Sequence, residues 1–587
     1  MPAMIAGRSR VAWHYGLAGV AFAILIVFLI YPILLTVRGG FAADPSTGTG
    51  FTLTHVALVF ENPAQRAGLW NALMIAIGTT SLSVAIALPL AVLSARFRFW
   101  GKGLFNAAIL VPLILPPFVG AIGVRALLGR QGTFNQIFGT DFDLLGEAKL
   151  FGVIVVMALH LYPIIYLNAT AALANLDPAL DEAAENLGAG WFRRFFGITL
   201  PLIRPGLFAG ATIVFIWAFT ELGTPLMFEY YQTTPVQIFR GLKEVEASAE
   251  PYALTVVLLA ASVGLYVVGR LLFGGRAYAM YAKASRASQE QRLGPIGRVV
   301  APALFAVVIG LALLPHIGVV LTSISGTGQW YRSIVPGDPT LEHYADALGH
   351  GESFQAILNS LFLSISAMGL AILLGLLIGY LIVRTRIKGR GALDTLSMLP
   401  LAVPGLVMAF GYVAMTLRWP FGGSLNVFGV EIPPLLPGTL EVLGATPNPF
   451  PLLIIAYTVR RLPYIVRSTV AGLEQTSGEL EDAAVNLGAS RMTAVRRIVV
   501  PLIMANLIAG GLLVFSFSML EVSDSLILAQ QQSHYPITKA IYAFSGRLGD
   551  GPYIASAMAV WGMALLTVTL LGASMLLGKK LGSIFRV

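Results

Sequence analysis

DEAAENLGAGWFRRFFGITLP, residues 181–201, returns as EDAAVNLGASRMTAVRRIVVP at residues 481–501, an offset of 300 throughout. Glu182-Ala183-Ala184 faces Asp482-Ala483-Ala484, and Asn186-Leu187-Gly188-Ala189 faces Asn486-Leu487-Gly488-Ala489. Ile198 faces Ile498, and Pro201 faces Pro501. Each copy sits between long apolar runs yet is itself polar and basic, so it reads as a solvent-side loop and not as a span. Its alanine-rich start, with carboxylates at the N-terminus, favours a short helix. Gly188 and Gly488 interrupt that helix. Arg193-Arg194 and Arg496-Arg497 then lead to a proline expected to stop the second piece. The result is a short, stiff, bent element at a membrane surface, shaped to be gripped by a partner. An ordinary basic loop explains a single copy; it does not explain two copies at matched places.

The 587 residues are 56% hydrophobic and 11% charged, with mean hydropathy +0.78. Soluble domains carry about 25% charged residues, so this is a multi-span membrane protein. The net charge of +9 does not mark a nucleic-acid binder. The basic residues lie in short loops beside apolar spans, as membrane topology demands. The chain has no cysteine, which excludes disulfides, thiolate metal sites and a cysteine nucleophile. Arg8 and Arg10 precede an apolar run over about 11–37, too long for a signal-peptide core and without a small-residue cleavage site. It reads as a retained first span.

A span needs about 20 apolar residues. Twelve candidates appear, near 13–37, 69–95, 104–127, 150–174, 203–224 and 252–274, then near 299–322, 357–383, 392–415, 451–473, 503–528 and 552–578. Arg96, Arg98 and Lys102 follow the second; Arg384, Arg386, Lys388 and Arg390 follow the eighth. These fall on one side with both repeated loops and the N-terminus, which the positive-inside bias makes the cytoplasm. The repeat reaches beyond the loop. Asn71 matches Asn359, and 111–116 matches 399–404, at an offset of 288; Tyr162-Pro163 matches Leu462-Pro463, and Glu221 matches Glu521, at 300. About twelve residues therefore enter an external loop between Pro404 and Pro463, where insertion is cheap. The expected fold is an all-α membrane protein of about twelve transmembrane helices in two parallel six-helix repeats. Six is even, so the pseudo-twofold axis lies along the membrane normal. The halves are residues 1–274 and 299–587, joined by a cytoplasmic linker at 275–298 whose Lys/Arg/Ser/Gln composition suits a tether.

The pattern Glu-Ala-Ala, three residues, Gly, nine residues, Ile, one residue, Leu-Pro resembles the signature of the membrane subunits of ABC importers that depend on a substrate-binding protein. Glu182, Ala183, Ala184, Gly188, Ile198, Leu200 and Pro201 fit it in full. The second copy departs with Asp482 for Glu and Val500 for Leu, keeping charge and apolarity, and retains Ala483, Ala484 and Gly488. The resemblance implies that each loop is a coupling helix seated in a groove of an ATP-binding subunit, two such subunits per chain. It also implies an external substrate-binding protein and residence in the bacterial inner membrane, among its lipids. The fused two-half form, and Thr-Glu-Leu-Gly-Thr-Pro at 220–225, look most like the permeases for ferric iron. Related fused permeases handle thiamine or phosphonates, and some relatives handle phosphorylated sugars.

No phosphate-binding loop is present: Gly-Lys at 101–102 and 578–579 lacks the upstream glycine spacing and the following Ser/Thr. No catalytic motif appears either. The chain is expected to be non-catalytic and to hold no cofactor, with ATP-Mg on partner subunits. Ionisable residues inside spans are costly and therefore informative. Glu221 ends the fifth span, Glu521 and Asp524 end the eleventh, Arg460 and Arg461 lie within the tenth, and His160 is the counterpart of Arg460. These are candidates for the translocation path, against the alternatives of mutual pairing between helices or snorkelling. Arg125, late in the third span, reads as structural. Arg460-Arg461 as bare cations favours an anion such as a phosphonate, which pulls against a bare ferric ion. No compact set of Tyr, His and carboxylates marks a metal site. Tyr162-Pro163 and Leu462-Pro463 are expected to break the fourth and tenth spans, as Pro112, Pro116, Pro117, Pro400 and Pro404 do others. A gradient-driven secondary transporter of two parallel repeats is the competing reading, and it leaves the repeated loop unexplained.

Overall fold

The computed structural model describes residues 2–44, 49–143, 146–244, 248–273, 291–330, 333–349, 351–427, 430–438, 440–443 and 447–577. Apolar runs with no water to satisfy their backbone form helices or closed β-barrels, and this chain takes the helical route. Among the described residues, eight helices are long and apolar enough to cross a membrane: α1 (Trp13–Phe41), α2 (Pro63–Arg96), α4 (Lys149–Ala174), α5 (Trp191–Phe219), α6 (Glu250–Leu271), α7 (Pro295–Ser323), α8 (Gly351–Arg384) and α12 (Gly551–Gly572). Three more candidate spans are helix pairs with a sharp bend between their two pieces. They are α3 (Lys102–Leu113 with Pro117–Phe138, 96°), α9 (Arg390–Leu401 with Gly405–Thr416, 103°) and α11 (Arg491–Leu502 with Met504–Met519, 76°). The twelfth position is α10 (Phe450–Glu474), 25 residues that carry Arg460, Arg461, Arg467 and Glu474. Its composition alone would not make it a span; its arginines are turned toward carboxylates inside the protein.

The prolines act differently from expectation. Pro163 and Pro463 lie inside α4 and α10, which run on through them without a break. The breaks fall instead at Pro116-Pro117 and Pro404, where α3 and α9 turn. There each proline opens a new helical piece, where its missing N–H costs nothing. Pro201 does not stop its helix either. A π-helical turn at Phe195–Thr199 carries the chain into Leu200–Phe219, with Pro201 in the first α-helical turn. The matching turn at Val495–Val499 is followed by a bend at Ile503, so only the second copy turns sharply there.

Each half forms the same bundle. In the first, α2, α4 and α5 pack on one another; in the second, α8, α10 and α11 do. The leading helices are exchanged. α1 packs on α9 of the second half, and α7 packs on α3 of the first. Both crossings close on glycine. A Cβ on Gly123 would strike the backbone of Pro315 to Val319, and one on Gly411 would strike the Pro32 carbonyl. Small residues let helices approach closely where apolar surface alone gives no drive to associate. Tyr412 donates from its hydroxyl to the Phe28 carbonyl at 2.9 Å, pinning the α1 crossing. Residues 275–290 of the expected linker lie outside the described residues. Gln291-Arg292 pair in parallel with Phe97-Arg98, and α7 starts at Pro295. A small hairpin, Leu425–Val427 with Val430–Ile432, occupies the stretch that carries the extra residues of the second half.

Candidate functional site: two matched loops and a central cavity

The repeated loop folds the same way twice. Helices Pro178–Asn186 and Glu479–Asn486 each end at a glycine with a left-handed backbone, φ +79° at Gly188 and +93° at Gly488. Gly188 N–H donates to the Glu185 carbonyl (2.8 Å) and Ala189 N–H to the Ala184 carbonyl (3.0 Å). In the second copy Gly488 N–H bonds Val485 and Ala489 N–H bonds Ala484, each at 3.0 Å. This pair of bonds is the Schellman closure, which needs a residue free to adopt positive φ. It presents Leu187 and Leu487 almost fully to solvent, 89% and 90% exposed. Glu182, Ala183, Asp482, Ala483 and both glycines are exposed; Ala184 and Ala484 are half-buried.

The loops are held by a residue that lies outside the spacing pattern. Asp181 lies 3.5 Å from the Arg96 guanidinium at the end of α2 and 3.6 Å from that of Arg194. Its counterpart Glu481 accepts a hydrogen bond from Tyr380 of α8 and pairs with Arg491 at 3.6 Å. The residue just before each Glu/Asp-Ala-Ala therefore ties the loop to the second helix of its own half. The following carboxylate, Glu182 or Asp482, is exposed at the surface. A charge comparison between the copies, position by position, would have found this pair.

The path candidates converge. His160, Glu221, Arg460, Arg461 and Glu521 all line one cavity of about 210 Å³. Its walls come in matched pairs: Leu113–Pro117 against Leu401–Gly405, His160–Ile164 against Arg460–Tyr464, and Ile216–Glu221 against Ser516–Glu521. A cavity lined by equivalents lies on the pseudo-twofold axis.

The two sides differ in chemistry. In the second half Arg460 Nη1 lies 2.7 Å from Glu521 and 3.3 Å from Asp524, and Arg461 pairs with the other Glu521 oxygen. Arg461 also donates to the Phe517 carbonyl at 3.2 Å. Glu521 is fixed in turn, its carbonyl accepting from Ser525 and Thr538 at 2.6 Å each. Charges this deep persist only when paired and hydrogen-bonded. In the first half Glu221 accepts from the Thr224 N–H and hydroxyl, both 3.1 Å, and makes no ion pair among the described residues. His160 Nδ1 lies 2.7 Å from the Pro112 carbonyl. The arginine pair is therefore not a bare cationic site. Both guanidiniums are compensated by Glu521 and Asp524, which removes the bare-cation argument for an anion. Arg125 stands apart, in an exposed pair with Glu229 at 3.3 Å. Among the described residues no group of three His, Asp or Glu stands ready to hold a metal ion.

Residues 87–274 and 371–574 each match the model of the binding-protein-dependent transport system inner membrane component. The chain belongs to that family. It carries the family's unit twice, once per half. A protein of Haemophilus influenzae provisionally named a ferric transport system permease is 27% identical over 523 residues, 86% of this chain and 76% of its own. The ferric transport system permease protein of Actinobacillus pleuropneumoniae is 28% identical over 492 residues, 82% and 66% of the two chains. A molybdenum transport system permease protein of Escherichia coli is 31% identical over 163 residues, 27% of this chain and 71% of its own.

Proposed function

We propose that this chain is the membrane-spanning subunit of an ATP-driven importer that passes ferric iron from an external binding protein to the cytoplasm by alternating access. The loop face is cytoplasmic, with the N-terminus on the same side. Two ATP-binding subunits, which hold the ATP-Mg and do the hydrolysis, sit on the loops at Glu182/Gly188 and Asp482/Gly488. One observation carries the mechanism. Each loop runs directly into the helix whose far end bears a cavity carboxylate: α5 from Trp191 toward Glu221, and α11 from Arg491 toward Glu521. The 29 residues of α5 form a lever of about 43 Å at 1.5 Å per residue. Movement of a gripped loop is thereby delivered to the cavity wall. Closure of the ATPase pair would draw the loops together and open the cavity outward; hydrolysis would reset it. Ferric cargo is supported by the relatives named for ferric transport and by the carboxyl oxygens of Glu221 and Glu521 in the cavity wall, since hard cations favour oxygen ligands.

Co-purification from the native membrane, followed by ATPase and ferric-uptake assays, tests the reading. The expected result is an ATP-binding protein at two copies per chain, lost on joint mutation of Gly188 and Gly488, with ferric uptake that requires ATP. A chain that purifies alone and moves solute on an ion gradient would establish the secondary-transporter reading instead.

A further inference from the structure

Gly405 opens the second piece of α9, directly after Pro404, and lines the cavity. Its backbone does not require glycine, for its φ is not in the left-handed region. Space does. A Cβ at 405 would fall inside the guanidinium of Arg460, overlapping Cζ and both terminal nitrogens. The same guanidinium reaches Glu521 at 2.7 Å and Asp524 at 3.3 Å. The first half carries the complementary choice. At the offset of 288 the counterpart of Gly405 is Pro117, and at 300 the counterpart of Arg460 is His160. The smaller imidazole turns to the Pro112 carbonyl and leaves room for a proline ring. Glycine goes with arginine, and proline with histidine.

We infer that Gly405 is a positioning residue: it is the seat that lets Arg460 neutralise Glu521 and Asp524, and so sets the charge that the cavity presents to its cargo. With Arg460 seated, Glu521 and Asp524 are both paired. With Arg460 displaced, Asp524 loses its ion pair and Glu521 keeps only Arg461. This rests on the reading of the cavity as the solute path.

The test is uptake of radioactive ferric iron by cells carrying the native transport system, with the complex purified in parallel. Gly405→Ala is expected to lower uptake about tenfold while its ATP-binding partner still co-purifies. Arg460→Met lowers uptake comparably, and the double variant is no worse than Arg460→Met alone, because the seat has nothing left to hold. Gly405→Pro combined with Arg460→His rebuilds the first-half pairing and exceeds Gly405→Pro alone. Wild-type uptake in Gly405→Ala with loss in Arg460→Met would overturn the seat and leave the path standing. Losses that multiply in the double variant would overturn it too, by showing that the two residues act separately. Wild-type uptake in Arg460→Met would overturn the path reading, and the seat with it.

Discussion

At the scale of single residues, the loops show which positions chemistry fixes. Gly188 and Gly488 take positive φ with open space where a Cβ would go, so the demand is on the backbone alone. A left-handed non-glycine residue costs about 1–2 kcal/mol. Gly188→Ala should therefore weaken co-purification of the ATP-binding subunit by roughly tenfold, since 1.4 kcal/mol is a factor of ten. Titration of that subunit onto the purified membrane protein checks it; unchanged affinity would mean the closure is not what the partner reads. The two loops also differ at their exposed carboxylates. Glu182 reaches one methylene further than Asp482, and Glu182→Ala should cost more transport than Asp482→Ala. Equal losses, or a larger loss at Asp482, would contradict that order. The pattern Glu-Ala-Ala…Gly was legible in the sequence because spacing alone defines it. The Asp181 and Glu481 tethers were not, since their partners Arg96 and Tyr380 lie about 85 and 101 residues away.

At the scale of elements, α10 is the instructive case. By composition it is a poor span, yet it packs against α8 as α4 packs against α2. Its two central arginines are affordable only because the chain just past α11 supplies Glu521 and the short helix Ser523–Leu528 supplies Asp524. Removing one partner of such a buried pair costs about 3–5 kcal/mol, whereas replacing both by apolar groups is close to neutral. Glu521→Leu should sharply lower the thermal midpoint in detergent, and Arg461→Met added to it should recover part of the loss. A double variant less stable than the single one would show that the two do not act as a pair. The bends follow the same logic. Proline is cheap where a helix begins and expensive in its middle. Pro117 and Pro404 stand at or just before a helix start, whereas Pro163 and Pro463 sit within continuous helices. Identity and spacing did not separate these cases; whether neighbouring helices support the backbone did.

At the scale of the whole molecule, the exchanged leading helices make the two halves one body. α1 closes on α9 at Gly411, and α7 closes on α3 at Gly123. Residues 1–274 expressed alone would expose the α3 face that α7 covers and leave α1 without α9. Neither half should accumulate by itself, and co-expression with residues 291–587 should restore a complex that co-purifies. A first half that is stable and monodisperse alone would refute this.

The sequence by itself determined the class of the protein: the apolar spans, the duplication at offsets of 288 and 300, and the paired loop signature. Those features are local or periodic, so they survive without knowledge of contacts. It also named the five residues that meet in the cavity, by the cost of burying charge, but not their relation. Only the tertiary structure decided that Arg460 and Arg461 are compensated, that Glu221 makes no ion pair among the described residues, and that a glycine 55 residues from Arg460 makes its place. The reason is physical. The charge a cargo meets is a sum over side chains from four helices and two bends, and that sum exists only once the halves have closed on each other.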